Sequence, residues 1–338
     1  MKHKLQNTFA VGCLVQWYEI EVIGEYIESL VRAVEQVENP QNITLDFYLT
    51  LSQKLEKIDK SQADLTKISD RFFDLLKKSF DNTGVKWEFE IIHHWDLYTI
   101  ADYRREFNQR YCEKVDVLFW GESDALVPHN TFQILDNLHI SAKEVNKINK
   151  YVATFGICKM WDKTWEVIEH PEFTNKPFIE NDYDNWWSLK YTMNIDEMNS
   201  FNEKVEELEV FMITGPDRLK FNGCGLVISS DLVKSGVTIP KSVFFVHEDT
   251  AFQEYMKRIM GDQCVQFVIK NILIVHNRNH PKKRMYVLGE SGDTLNKQRR
   301  SNDWYVAANK MSEHNCYNLF KQSTVYGWED VFEKKKEE

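Results

Sequence analysis

Apolar positions in the first part of the chain follow two alternating rhythms. Ala10 to Gln16 (AVGCLVQ), Ile43 to Leu51 (ITLDFYLTL) and Trp87 to Ile92 (WEFEII) are short runs rich in β-branched and aromatic residues, and each reads as a strand. Between them Ile23, Ile27, Leu30 and Val34, and then Leu65, Ile68, Phe72, Leu75, Leu76 and Phe80, recur every third or fourth residue. That is the spacing of helices burying one stripe. Ile100, Tyr103, Phe107 and Tyr111 mark a third helix. Val115 to Pro128 (VDVLFWGESDALVP) then opens with a continuous apolar run, as a central strand covered on both faces does. Strand and helix in strict alternation predict a doubly wound, mostly parallel α/β sheet flanked by helices.

After Pro128 the rhythm changes. Tyr151 to Met160 (YVATFGICKM) reads as a further strand, but Trp161 to Phe201 is irregular and aromatic, with Trp161, Trp165, Trp186 and Trp187. Such a stretch is either a surface lid or a loop packed on the core. Phe244 to Phe252 (FFVHEDTAF) runs from an apolar strand into a helix with Phe252, Tyr255 or Met256, and Ile259 at helical spacing. Asn271 to His276 (NILIVH) makes a last strand. One domain is expected over 1–290, in two halves at 9–130 and 150–290; residues 291–338 form an extension with a charged tail.

Composition narrows the class. A net charge of −10 argues against a protein that coats nucleic acid, yet Lys270 to Arg300 holds eight basic residues against Glu290 and Asp293. One basic strip on an acidic body points to a local anion site. The six cysteines show no CxxC spacing and read as buried free thiols in a reducing compartment. With no signal-peptide core and no apolar run of about 18 residues, a cytoplasmic protein is expected.

Four features carry candidate chemistry. Glu122-Ser123-Asp124 falls at the carboxyl end of the apolar strand, where open α/β sheets bind ligands, and its hard oxygens suit Mg2+ or Mn2+. Glu248 and Asp249 open a helix whose dipole favours carboxylates there. Gly223 and Gly225 flank one residue before a small apolar strand, allowing a tight turn or close ligand approach. His276 ends a strand ahead of Arg278, Lys282, Lys283 and Arg284, a set able to hold a divalent metal or phosphate. Singly, each also has an ordinary structural reading: a polar turn, a helix N-terminal charge, a bulge, a hydrogen-bonded histidine.

Jointly, and in this order, they resemble a nucleotide-sugar-dependent glycosyltransferase of the GT-A fold, nearest in plan to the inverting family 2. GCGLVISSDLVKSG (Gly223 to Gly236) followed by HEDTAFQEYMKRIMG is similar to that family's Gly-x-Gly, apolar strand and Glu-Asp helix. AVGCLVQWYEIEVIGEYIESL resembles its first strand, donor-binding loop and first helix, which implies donor contacts at Gln16 and Tyr18. Arg104 and Asn108 stand where its Arg-Asn helix precedes the metal motif, which implies donor contacts at these two as well.

The resemblance implies that Asp124, assisted by Glu122 and His276, holds Mn2+ or Mg2+ on the donor diphosphate, and that Arg278, Lys282, Lys283 and Arg284 meet its charge. It implies Asp249 as general base with Glu248 orienting it, and substrate contacts at Gly223, Gly225, His247, Trp186 and Trp187, the indoles offering stacking faces to a sugar. The partners implied are a nucleoside-diphosphate sugar and a saccharide or other hydroxyl acceptor. There are departures. No Asp-rich segment follows the second strand, the triplet begins with Glu, and no Gln-x-x-Arg-Trp follows the Glu-Asp pair, which argues against a processive synthase. Two alternatives share the plan: transfer to a hydroxylated base in phage DNA, and a nucleotidyltransferase or non-catalytic nucleotide-binding module.

Overall fold

The computed structural model describes residues 2–20, 22–51, 65–93, 97–160, 165–167, 194–219, 223–276 and 303–333. The alternation read from the first 120 residues forms as expected: β1 (Phe9–Gln16), α1 (Ile23–Glu35), β2 (Ile43–Thr50), α2 (Leu65–Phe80), β3 (Lys86–Ile92), α3 (Ile100–Tyr111) and β4 (Val117–Trp120). Then come a two-residue strand β5 (Ala125–Leu126), α4 (Thr131–Ile140), β6 (Val152–Met160), β7 (Trp165–Val167), α5 (Ile195–Asn202), β8 (Val210–Thr214), β9 (Val227–Ser229) and α6 (Ser230–Lys234). The chain continues through α7 (Glu248–Met260), β10 (Val265–His276), α8 (Asp303–Tyr317) and α9 (Trp328–Glu333).

All ten strands of the described residues belong to one sheet, ordered β3-β2-β1-β4-β9-β6-β10-β5, with β7 beside β6 and β8 beside β10. The long ladders β1–β2, β2–β3 and β6–β10 are parallel, as is β1–β4; β9 lies antiparallel between β4 and β6. The fold is therefore mixed α/β with a mostly parallel, doubly wound sheet. Successive side chains of a strand point to opposite faces, and β1 and β4 supply two cores in this way. Phe9, Val11, Cys13, Val15, Val117 and Phe119 pack with α1, α2 and α4, while Ala10, Leu14, Leu118 and Trp120 pack with α3 and α7. The stripes predicted for α1 and α2 are buried at Ile23, Ile27, Leu30 and Val34, and at Ile68, Phe72, Leu76 and Phe80.

Three local readings change. Within the stretch read as irregular, Trp165–Val167 is a strand and Ile195–Asn202 a helix, while 161–164 and 168–193 lie outside the described residues. Phe244 to Val246 is not a strand: the segment before α7 is turn and bend, because Phe244 packs edge-on against Trp328 and Phe245 against Trp304 and Tyr305 of the C-terminal helices. Those aromatic partners outweigh the β-propensity of the run. The buried stripe of α7 is Ala251, Phe252 and Met256, whereas Ile259 is 45% exposed. No helix among the described residues is long and apolar enough to cross a membrane.

Candidate functional site

The sheet order brings the candidate motifs together. The chain winds outward from β1 to β2 and β3, then returns to place β4 on the other side of β1, so the order reverses between β1 and β4. Ligands of doubly wound sheets bind outside the carboxyl ends of the strands at such a switch. Gln16 ends β1, Glu122 to Asp124 follow β4, and His276 ends β10 at that same edge. The antiparallel course of β9 puts its beginning, and so Gly223-Cys224-Gly225, at this edge too. Pairing of His276 with Ala125 across β10 and β5 fixes the imidazole beside Asp124.

One buried guanidinium joins the two acidic motifs. Arg104, only 3% exposed, donates through Nη2 to Glu122 Oε1 at 2.7 Å and through Nη1 to Glu248 Oε1 at 2.5 Å. It also lies 4.6 Å from the centroid of the Trp120 ring, whose Nε1 donates to Asn108 Oδ1 at 2.9 Å. On the far side of Glu122, His276 Nε2 stands 3.2 Å from Glu122 Oε2 and 3.5 Å from Asp124 Oδ1. Ser123 Oγ donates to Glu19 Oε2 at 2.5 Å, and Gln16 N donates to the same oxygen at 3.1 Å. The buried Glu19 carboxylate thus pins the acidic turn to the end of β1.

Glu122, Asp124 and Glu248 therefore crowd around one guanidinium and one imidazole. The electrostatics follow. Burial pushes the Glu248 carboxyl above its ordinary value, Arg104 pulls it down, and the neighbouring Asp249 pushes it up again. Burial works against protonation of His276, but Cys224 and Asp124 outweigh it and hold the ring well above the usual histidine value. Carboxylate oxygens and an imidazole nitrogen are donor types that divalent cations accept.

The Gly-x-Gly turn connects this cluster to Asp249. A Cβ on Gly223 would lie 2.5 Å from Asp249 Oδ2, so glycine lets that carboxylate rest against the backbone. Gly225 has φ +67°, a left-handed conformation costly for other residues, and its Cα faces Ile274 and Phe119. Between them, Cys224 places its sulfur with Glu122 and His276: one potential ligand atom from each lies within 4.8 Å of the other two. Asp249 itself is half-buried in the first turn of α7, its Oδ1 accepting from Thr250 N at 2.7 Å.

Of the sequence-derived candidates, Glu122, Asp124, His276, Glu248, Asp249, Gly223 and Gly225 meet here. Arg104 and Asn108 are buried and bonded within the protein, holding carboxylates and the Trp120 indole. Gln16 sits half-buried at the end of β1; the backbone of Tyr18 lies in the 3-10 turn Trp17–Glu19, and its side chain is outside the described set. His247 takes φ 68°, an uncommon left-handed conformation for a non-glycine residue, immediately before Glu248, and its buried Nε2 has no hydrogen-bond partner. Trp186, Trp187, Arg278, Lys282, Lys283 and Arg284 lie outside the described residues. Sequence reading missed Glu19 and Cys224. The first was one acid in the polar stretch Tyr18 to Glu21 between the first strand and helix, and the second was one of six scattered thiols.

No family model and no curated protein matches this sequence. Solved structures overlay on it loosely. Glucosyl-3-phosphoglycerate synthase of M. tuberculosis aligns at 12% identity over 91% of this chain and 81% of its own, with a TM-score of 0.38. The inositol-1-phosphate CTP transferase of T. maritima aligns at 10% identity over 88% and 98%, TM-score 0.37. The 4-diphosphocytidyl-2C-methyl-D-erythritol synthase of Anaerococcus prevotii aligns at 12% identity over 78% and 89%, TM-score 0.33. Likeness this loose carries no functional argument, and the fold class rests on the sheet order itself.

Proposed function

We propose that this chain is a divalent-metal-dependent glycosyltransferase, moving a sugar from a nucleoside diphosphate to an acceptor hydroxyl with inversion at the anomeric carbon. The observation that carries the reading is Arg104, whose one guanidinium binds Glu122 of the metal-type turn and Glu248 beside Asp249. The carboxylates assigned here to donor holding and those assigned to proton transfer thereby share one guanidinium. Asp124, Glu122 and His276 are the residues that would hold Mn2+ or Mg2+. That cation would neutralise charge on the diphosphate. Asp249 would take the acceptor proton as the oxygen attacks, a role that suits a carboxylate on the opposite face from the leaving group. Arg104 acts here as a positioning residue and Glu19 as the pin of the acidic turn.

The first test is thermal stabilisation by a panel of nucleoside diphosphates with and without Mn2+. A ligand at about 100 times its dissociation constant adds ~2.7 kcal/mol. One diphosphate is expected to raise the melting temperature only with Mn2+, and Asp124→Asn to remove the effect. Stabilisation by a nucleoside triphosphate, with release of pyrophosphate on turnover, would replace this reading with nucleotidyl transfer. Absence of any shift would remove the donor site.

Gly223→Ala tests the seat of Asp249. The added methyl would sit 2.5 Å from Oδ2 and 3.1 Å from Cβ of Asp249, and the carboxylate must move. Displacing a reacting group by about 1 Å costs up to ~10²-fold in rate. Transfer from the identified donor should fall by about that factor, with the urea midpoint little changed. Unchanged transfer would take Asp249 out of the reaction.

A further inference from the structure

We propose that Cys224 is a ligand of the cation at this edge, so that the site is a mixed carboxylate, imidazole and thiolate centre selective for Zn2+ over Mg2+. The inference rests on the reading of Glu122 and His276 as a metal site and adds to it a donor that the acidic motif does not contain. Three separate segments converge: Glu122 follows β4, Cys224 precedes β9 and His276 ends β10, with ligand atoms within 4.8 Å of one another. That separation fits donors on one small ion, since two ligands at ~2.0–2.3 Å from a tetrahedral centre stand under about 4 Å apart once they close on it.

The backbone around the thiol is committed to this placement. Gly223 rests on Asp249 and Gly225 needs its positive φ, so the residue between them has little freedom. Cys224 is not disulfide-bonded. The His276 ring turns Nε2 toward Glu122 and Asp124, and its Nδ1 is buried with no hydrogen-bond partner. Thiolate and imidazole select borderline and soft cations, whereas Mg2+ is served by carboxylates and water. On binding, the Cys224 thiol releases its proton to solvent as the sulfur–metal bond forms, and the complex carries one negative charge more from the protein.

The test uses the full chain freed of metal with a chelator and then titrated with Co2+ and with Zn2+. Co2+ should give the near-ultraviolet thiolate charge-transfer absorption. Cys224→Ser should remove it, and Cys264→Ser, on a thiol hydrogen-bonded to the end of α7, should keep it. Zn2+ affinity should drop in Cys224→Ser by more than the ~10–100-fold that loss of an outer-shell contact costs. X-ray absorption of the zinc-loaded wild type needs no variant and should show a sulfur shell at about 2.3 Å. Metal binding with only nitrogen and oxygen neighbours would overturn the role of Cys224 and leave a hard Mn2+ or Mg2+ site standing. Stabilisation by a nucleoside diphosphate with no metal bound at all would overturn this proposal while keeping the donor site. An unaltered charge-transfer band in Cys224→Ser would also overturn it.

Discussion

Asp249→Asn is expected to lower the turnover rate by about 10²–10⁴-fold, the usual contribution of a general base, and to leave stabilisation by the nucleoside diphosphate intact. Asparagine keeps the shape of the side chain and its contact with Gly223 but cannot accept the acceptor's proton. If Asp249 were only a favourable charge at the start of α7, the outcome would be reversed. Its loss would then cost about 0.3–1 kcal/mol of stability and nothing in rate. Measuring kcat and the urea midpoint on the same variant separates the two roles. Unchanged kcat would sink the proposed base.

Arg104→Met is expected to cost about 3–5 kcal/mol of folding stability, as breaking a buried ion pair from one side does. The guanidinium is 3% exposed and serves two carboxylates, so its removal strands Glu248 and leaves Glu122 to His276. Denaturant unfolding should show a lower midpoint, and the double variant Arg104→Met with Glu248→Gln should recover part of the loss because one stranded charge is gone. A change under about 1 kcal/mol would mean that the pair contributes only as an exposed one does. The same carboxyl gives a pH signature. Glu248 has its folded value raised above 4.5, first by burial, so the native state holds the proton more tightly than the unfolded chain. Its contribution is therefore full below 4.5 and is lost as pH rises above it, opposite to the acid lability of ordinary paired carboxylates. Glu248→Gln should flatten that slope in metal-free protein.

What could be read from residues alone divides along physical lines. The order β1 to β4 was legible because each element carries its own period, as in the helical stripe of α1 and the unbroken apolar run of β4. The acidic triplet and His276 were legible as strand-end polar residues. Their proximity was not, because it depends on the pairing of His276 with Ala125 across some 150 intervening residues of chain. The same holds for Arg104. The resemblance implied donor contact, but the fold places it beneath two carboxylates and over Trp120. Phe244 to Val246 misled because its β-branched and aromatic residues also suit an aromatic cluster with helices that lie far downstream. Cys224 had no spacing partner in sequence, since Glu122 and His276 approach it only through the reversed course of β9.

That reversed strand also governs the order in which the molecule can be assembled. β9 lies between β4 and β6, yet it is made after both of them and after β8. Until residue 229 has joined, β4 and β6 each present an unpaired edge in the middle of the future sheet. Exposed strand edges recruit other chains, and distant pairings form slowly because loop closure must precede them. A nascent or clipped chain ending before Gly223 is thus a β3-β2-β1-β4 sheet with an open seam at β4, while β5, β6 and β8 still lack β10, and the three-residue strand that carries Cys224 to the site is also the closure that keeps the β4 seam from pairing with another chain.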